Sequence, residues 1–184
     1  MSALIKYSIS EFSGSEEEIR SYLEIILNTL FFNRFITNFD YENKTTAKFP
    51  NIAYNKIKNS ELENEIKNKL EEIKAIDEYD SNSIKFTVTV NFYNLKRNWT
   101  WFFYQKYEGL WETWEINVNI TDKTIIDKEE KARKKIFYML NKLTSNDNMP
   151  DKELTDFKEF NEEKEKKGKK VENTFPYEII VKRA

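Results

Sequence analysis

Two stretches of the chain alternate apolar and polar side chains without a fault, and this pattern constrains the fold more than any other feature. Ile84, Phe86, Val88, Val90 and Phe92 are opposed by Lys85, Thr87, Thr89 and Asn91. Trp114, Ile116, Val118 and Ile120 are opposed by Thr113, Glu115, Asn117 and Asn119. Successive side chains of a strand point to opposite faces, so both stretches are half-buried strands with one wet side. If they pair as antiparallel neighbours, the segment from Tyr93 to Glu112 either connects them or includes the extended tips of the hairpin.

The rest of the chain supplies helices to cover the dry side. Leu4 to Phe12 alternates as a further strand, with Ile5, Tyr7 and Ile9 on one face. Ser15 and Glu18 form a capping box ahead of Ile19, Tyr22, Leu23, Ile26, Leu30 and Phe31, which predicts a helix to about Asn33. With Ile25, Leu27 and Phe32 added, its apolar stripe is broad enough for burial on more than one side. A short strand is expected near Thr45 to Phe49. Ser60 with Glu63 offers a second capping box before Leu62, Ile66, Leu70 and Ile73. A third helix opens at Asp127 and Glu130, with Ile136, Phe137, Leu140 and Leu143 inward. The charged stretch 152–170 is either a thinly attached helix or a mobile loop. Phe175, Tyr177, Ile179 and Val181 close the chain as a strand. This order predicts an α+β fold, about three helices packed on one face of a mainly antiparallel sheet. A length of 184 residues fits one domain over 1–184.

Composition narrows function by exclusion. The chain has no cysteine and no histidine. Thiolate nucleophiles, disulfides, Ser-His triads and most zinc, copper or iron sites are therefore excluded. Carboxylate runs such as Glu16 to Glu18, Glu71 with Glu72 and Glu162 with Glu163 are solvated helix faces in a chain that is 34% charged. Three well-separated glycines cannot make a phosphate loop. No catalytic residue, cofactor or metal is expected, and the chain is not an enzyme on this reading. Its 30 basic and 32 acidic residues leave a net charge of -2, which attracts no nucleic acid. The sequence lacks a signal-peptide pattern and a membrane-length apolar run, and with no cysteine a cytosolic or nuclear home is expected, of which the cytoplasmic one is taken.

All four tryptophans lie between Trp99 and Trp114. Trp114 opens a strand alternation and is a core residue. Trp101, Phe102, Phe103 and Tyr104 are different, because consecutive bulky aromatics cannot all face inward from an extended backbone. Some must meet solvent or a partner. Rimmed by Lys96, Arg97 and Lys106, they have the makeup of a protein hot spot or an interfacial membrane anchor.

The pattern as a whole resembles the autophagy-related protein 101 family, a HORMA-fold subunit of the kinase complex that starts autophagosome formation. The resemblance runs through Ile26-Leu27-Asn28-Thr29-Leu30-Phe31-Phe32-Asn33-Arg34 with Phe39-Asp40-Tyr41, and through Ser60-Glu61-Leu62-Glu63. It is most specific in Val90-Asn91-Phe92-Tyr93 and Trp111-Glu112-Thr113-Trp114-Glu115-Ile116-Asn117-Val118. Met149-Pro150 and Pro176-Tyr177-Glu178-Ile179 complete it. It implies a non-catalytic scaffold at the phagophore assembly site that heterodimerises with the HORMA domain of autophagy-related protein 13 and stabilises it. It also implies a protruding aromatic loop that recruits later factors. By position that loop falls on Trp101, Phe102 and Phe103. The family often has Trp-Pro-Phe there and this chain has no proline, which leaves two candidate outward pairs, Trp101 with Phe103 or Phe102 with Tyr104. By analogy with how HORMA domains pair, the third helix and its Arg133 and Lys134 form the heterodimer surface. The alternative is a peripheral membrane protein that uses the same aromatics for transient membrane contact.

Overall fold

The computed structural model describes residues 4–34, 40–73, 83–93, 109–122, 125–144, 166 and 176–184. These form β1 (Ile5–Gly14), α1 (Glu16–Phe32), β2 (Tyr41–Lys44), β3 (Tyr54–Ile57), α2 (Ser60–Glu71), β4 (Ser83–Tyr93), β5 (Leu110–Thr121), α3 (Lys128–Thr144) and β6 (Tyr177–Arg183).

The two alternating stretches pair as an antiparallel hairpin, Val88 opposite Ile116 and Val90 opposite Trp114. The last strand adds antiparallel to β4, with Val181 opposite Val88. The first adds parallel to β5, with Tyr7 opposite Trp114, so the sheet order is β1-β5-β4-β6. Phe86, Val88, Val90, Phe92, Trp114, Ile116, Val118 and Ile120 are all buried on the helix side. The other side carries short polar side chains bonded across strands. Thr87 Oγ1 lies 2.9 Å from Asn117 Oδ1, Thr113 Oγ1 lies 2.9 Å from Asn91 Oδ1, and Asn117 Nδ2 donates to the Ile9 carbonyl at 3.3 Å.

The β1 strand departs from simple alternation. Its register on β5 shifts between Ile9 and Phe12, leaving Ser10 and Glu11 both exposed. Without this extra residue Phe12 would face solvent; with it, Phe12 turns inward and stacks on Tyr22 with ring centroids 4.3 Å apart. The α1 helix then starts on the expected capping box. Ser15 Oγ accepts from the Glu18 amide, and Glu18 Oε2 accepts from the Ser15 amide at 2.8 Å. A Cβ at Gly14 would come within 2.9 Å of that same Glu18 oxygen. From Ile25 to Phe31 every residue of α1 is buried, as fits a helix that is apolar on most sides and packs on the sheet, β3, α2 and α3.

Three local expectations are corrected. The strand expected near Thr45 to Phe49 is instead the link between β2 and β3, which pair antiparallel from Tyr41 opposite Ile57 to Lys44 opposite Tyr54. Within that link Thr46 Oγ1 accepts from the Phe49 amide at 3.2 Å, a side-chain turn that competes with extended backbone. The cap of α2 is Asn59 rather than Ser60: Asn59 Oδ1 accepts from the Leu62 amide at 3.1 Å, and Glu63 is drawn to Lys56. In α3 the inward stripe is Ala132, Ile136, Met139 and Leu143, with Leu140 half-buried, while Phe137 is 63% exposed. Met139 takes the place that the spacing had given to Phe137. Among the described residues, no helix is long and apolar enough to cross a membrane.

Glu18 also receives the Lys128 ammonium at 2.7 Å, joining the start of α1 to the start of α3. Burial works to raise its pKa, but the bonds from Lys128 and Ser15 outweigh it and hold the carboxyl below the usual range. A depressed carboxyl adds stability above its unfolded pKa and loses it as pH falls through the folded value. Glu18→Gln should therefore cost about 1–2 kcal/mol at neutral pH. The gap to the unaltered chain should close on acidification through the carboxyl range, as checked by urea denaturation across pH.

Candidate functional site

The aromatic stretch leaves the described structure after Tyr93 and rejoins it at Gly109, at the connecting end of the β4–β5 hairpin. Trp101, Phe102, Phe103 and Tyr104 lie outside the described residues, as do Lys96, Arg97, Lys106, most of 152–170, and Phe175. What the structure gives is the base on which that stretch is mounted.

The base is built around an ion pair with almost no access to water. Arg34, just beyond the end of α1, is 2% exposed, and Glu112, near the start of β5, is 0% exposed. The guanidinium grips the carboxylate with two parallel bonds, Nε to Oε2 at 2.6 Å and Nη2 to Oε1 at 2.5 Å. Trp114 Nε1 donates to Glu112 Oε1 at 2.8 Å, so one carboxylate oxygen serves two donors. The guanidinium carbon also lies 5.8 Å from the Trp111 ring centroid.

A register shift makes this convergence possible. Phe92 is opposite Glu112 while Tyr93 is opposite Leu110, so Trp111 is the extra residue in β5. In regular alternation Trp111 and Glu112 would point to opposite faces; the bulge lets both be buried beside Arg34. Aromatic rings enclose the cluster. Tyr7 stacks on Trp114 at 4.3 Å, Phe92 lies 6.3 Å from Trp111, and Phe31 contacts both Phe92 and Tyr177 edge to face. The Tyr93 amide donates to the Pro176 carbonyl at 2.8 Å, which ties the hairpin end to the approach of β6. Gly109 has φ of 96°, a left-handed conformation that glycine adopts without strain.

Where the aromatic segment is described, Trp114 is the core residue expected of it, and Trp111 is a core residue as well. Sequence reasoning missed Arg34 and Glu112 as a pair. The signal was present: Glu112 is in phase with Trp114, Ile116 and Val118, and a charge on the dry side of a strand requires a counter-charge. Nothing in the sequence said that the counter-charge sits 78 residues earlier.

Arg133 and Lys134 lie exposed on α3, outside this cluster. Arg133 pairs with Glu129 at 3.1 Å and Lys134 with Glu130 at 2.6 Å, each one turn back along the helix. Such exposed pairs are weak and readily exchanged. The Lys134 ammonium is held above, and the Glu130 carboxyl below, its usual range by their mutual hydrogen bond and charge. Phe137 stands exposed on the same helix, and Lys142 lies 5.7 Å from the Tyr138 ring centroid. Among the described residues, no group of three or more acidic side chains converges in a way that would hold a metal.

Breaking the buried pair from one side leaves a stranded charge. Arg34→Met and Glu112→Leu should each cost about 3–5 kcal/mol, whereas the double substitution should cost clearly less than the sum. Denaturation of the four species checks this, and additive losses would refute the coupling.

A family model described as Autophagy-related protein 101 covers residues 11–149, from β1 through the hairpin and α3. A search of curated protein sequences finds no match. The matched span includes Arg34, Glu112 and both buried tryptophans, and the α+β arrangement of helices on a mainly antiparallel mixed sheet is the HORMA-like one of that family. The chain belongs to the autophagy-related protein 101 family, and its role is in autophagy.

Proposed function

We propose that the chain is a non-catalytic scaffold subunit of the cytoplasmic complex that initiates autophagy. It heterodimerises with the HORMA domain of autophagy-related protein 13, stabilises it, and recruits later factors at the phagophore assembly site through Trp101, Phe102, Phe103 and Tyr104. The family match supports the setting. The observation that carries the binding role is the rigid base under the aromatic stretch. Both ends of residues 94–108 are anchored on a hairpin whose core holds a bidentate ion pair and two buried tryptophans. A recruiting surface gains affinity from a mount that does not have to be ordered on binding.

The heterodimer surface on this reading is the outer side of α3. Arg133 and Lys134 supply charges in exchangeable pairs, and the exposed ring of Phe137 supplies the apolar anchor that interface hot spots favour. A partner that binds only the folded state stabilises it by mass action.

Adding the HORMA domain of autophagy-related protein 13 at saturation should raise the melting temperature of this chain. Phe137→Asp should abolish the shift, whereas Trp101→Ala with Phe102→Ala should preserve it and lose only the recruitment of later factors. No shift at saturating partner would refute the heterodimer. Flotation of the purified chain with vesicles, abolished by the same two aromatic substitutions, would instead favour the membrane-anchoring use of the loop.

A further inference from the structure

A second surface lies on the other flank of α3, where the helix runs beside β1. The two elements enclose a cleft of about 470 Å³, walled by Ser8, Ser10, Lys131, Lys134, Lys135 and Tyr138 together with Ile9. β1 is an outer strand of the sheet, so the cleft opens along a sheet edge.

Charge is the unusual feature of this cleft. The chain carries slightly more acid than base, and cations around the cleft are matched: Lys128 with Glu18, Arg133 with Glu129, and Lys85 with Glu11. The cleft walls bring three ammonium groups and three hydroxyls together with no carboxylate among them. Of the acids around it, Glu130 is paired with the cleft's own Lys134, Glu11 is paired with Lys85, and Asp127 acts on Lys134 only at a distance, so Lys131 and Lys135 carry the charge that the cleft offers.

Lys135 is also fixed in place. Its ammonium donates to the Ser10 carbonyl at 2.9 Å and to Ser10 Oγ at 2.5 Å, across the β1 bulge. Two of its three N–H groups are thereby used and the third is left for another acceptor. Burial pushes this ammonium below the usual lysine range, against the pull of Glu11. An anion in the cleft would reverse that cost.

We infer that this cleft binds a phosphorylated serine or threonine of a partner protein, with Lys131 and Lys135 holding the phosphate and Tyr138 lining the neighbouring chain. A phosphate dianion matches several ammonium and hydroxyl donors at once, where a single carboxylate would need one. The cleft is much larger than a phosphate group, which leaves room for the peptide on either side. It is concave and runs along a sheet edge, which suits an extended segment rather than the plane of a bilayer. This inference is independent of the heterodimer reading, and Lys134, which both surfaces include, is left unaltered in its test.

The test uses the full chain without any partner and two degenerate nonapeptide pools, one with phosphoserine at the centre and one with serine. The phosphoserine pool should be retained and the serine pool should not. Lys131→Glu should weaken retention at least tenfold with the melting temperature unchanged, and Lys142→Glu should leave it within twofold. Lys135→Ala should also weaken it; because that change uncaps Ser10, Lys131→Glu is the deciding variant. Millimolar inorganic phosphate should compete only partially. Equal retention of both pools, indifference to Lys131→Glu, or full displacement by equimolar inorganic phosphate would overturn the inference. So would binding of anionic vesicles containing phosphoinositide that Lys131→Glu abolishes while the phosphoserine pool fails to bind.

Discussion

Arg34 and Glu112 meet where three parts of the fold converge: the end of the buried helix, the bulge of β5, and the rings of Trp111 and Trp114. Removing two charges from water costs several kcal/mol for each ion, and only good geometry with every remaining lone pair used offsets it. Here both guanidinium bonds are short and the indole of Trp114 takes a further share of the carboxylate. The pair contributes little net stability over an apolar pair of the same volume, but it fixes register. A one-residue slip of β5 would send Glu112 to the wet face and leave Arg34 buried and alone, so the slipped pairing is penalised twice over. The position of the whole hairpin relative to α1, and with it the place where the aromatic stretch emerges, follows from that single constraint.

Much of this fold was legible because much of it is locally determined. The alternation in β4 and β5 and the Ser15–Glu18 box each depend on residues within a few positions of one another, and the structure keeps them as read. What was not legible came from competition at a distance. The bulges at Ser10–Glu11 and at Trp111 each add one residue so that a large aromatic can be buried, and a period-two reading has no means of placing an insertion. Spacing alone puts Phe137 inward, yet the inner stripe of α3 is already complete with Ala132, Ile136, Met139 and Leu143. Thr46 was read as part of a strand, but its hydroxyl prefers the Phe49 amide. For the candidate site, Trp114 is readable as a core residue from phase alone, while the burial of Trp111 and the Arg34–Glu112 partnership needed the fold.

Charge tells a similar story of local order within a bland total. A net charge of -2 suggests a surface with no preference. In the structure the acidic side chains are distributed as partners, at the cap of α1, along α2 and in the outer pairs of α3, and the wall between α3 and β1 is left basic. Two flanks of one helix therefore differ in kind. One presents an aromatic ring beyond two exchangeable ion pairs, and the other presents ammonium groups around hydroxyls.

The parallel pairing of β1 with β5 joins Tyr7 to Trp114, more than a hundred residues apart in the chain. During synthesis β1 thus has no partner in this sheet until the residues up to β5 have been made. The helix that follows it is the most apolar of the described helices and lacks the β4–β5 hairpin to cover it during that interval. Long-range pairing of this kind slows folding and prolongs the time that sticky surface is exposed. The closing of β1 onto β5 is the step that completes the sheet and brings that interval to an end.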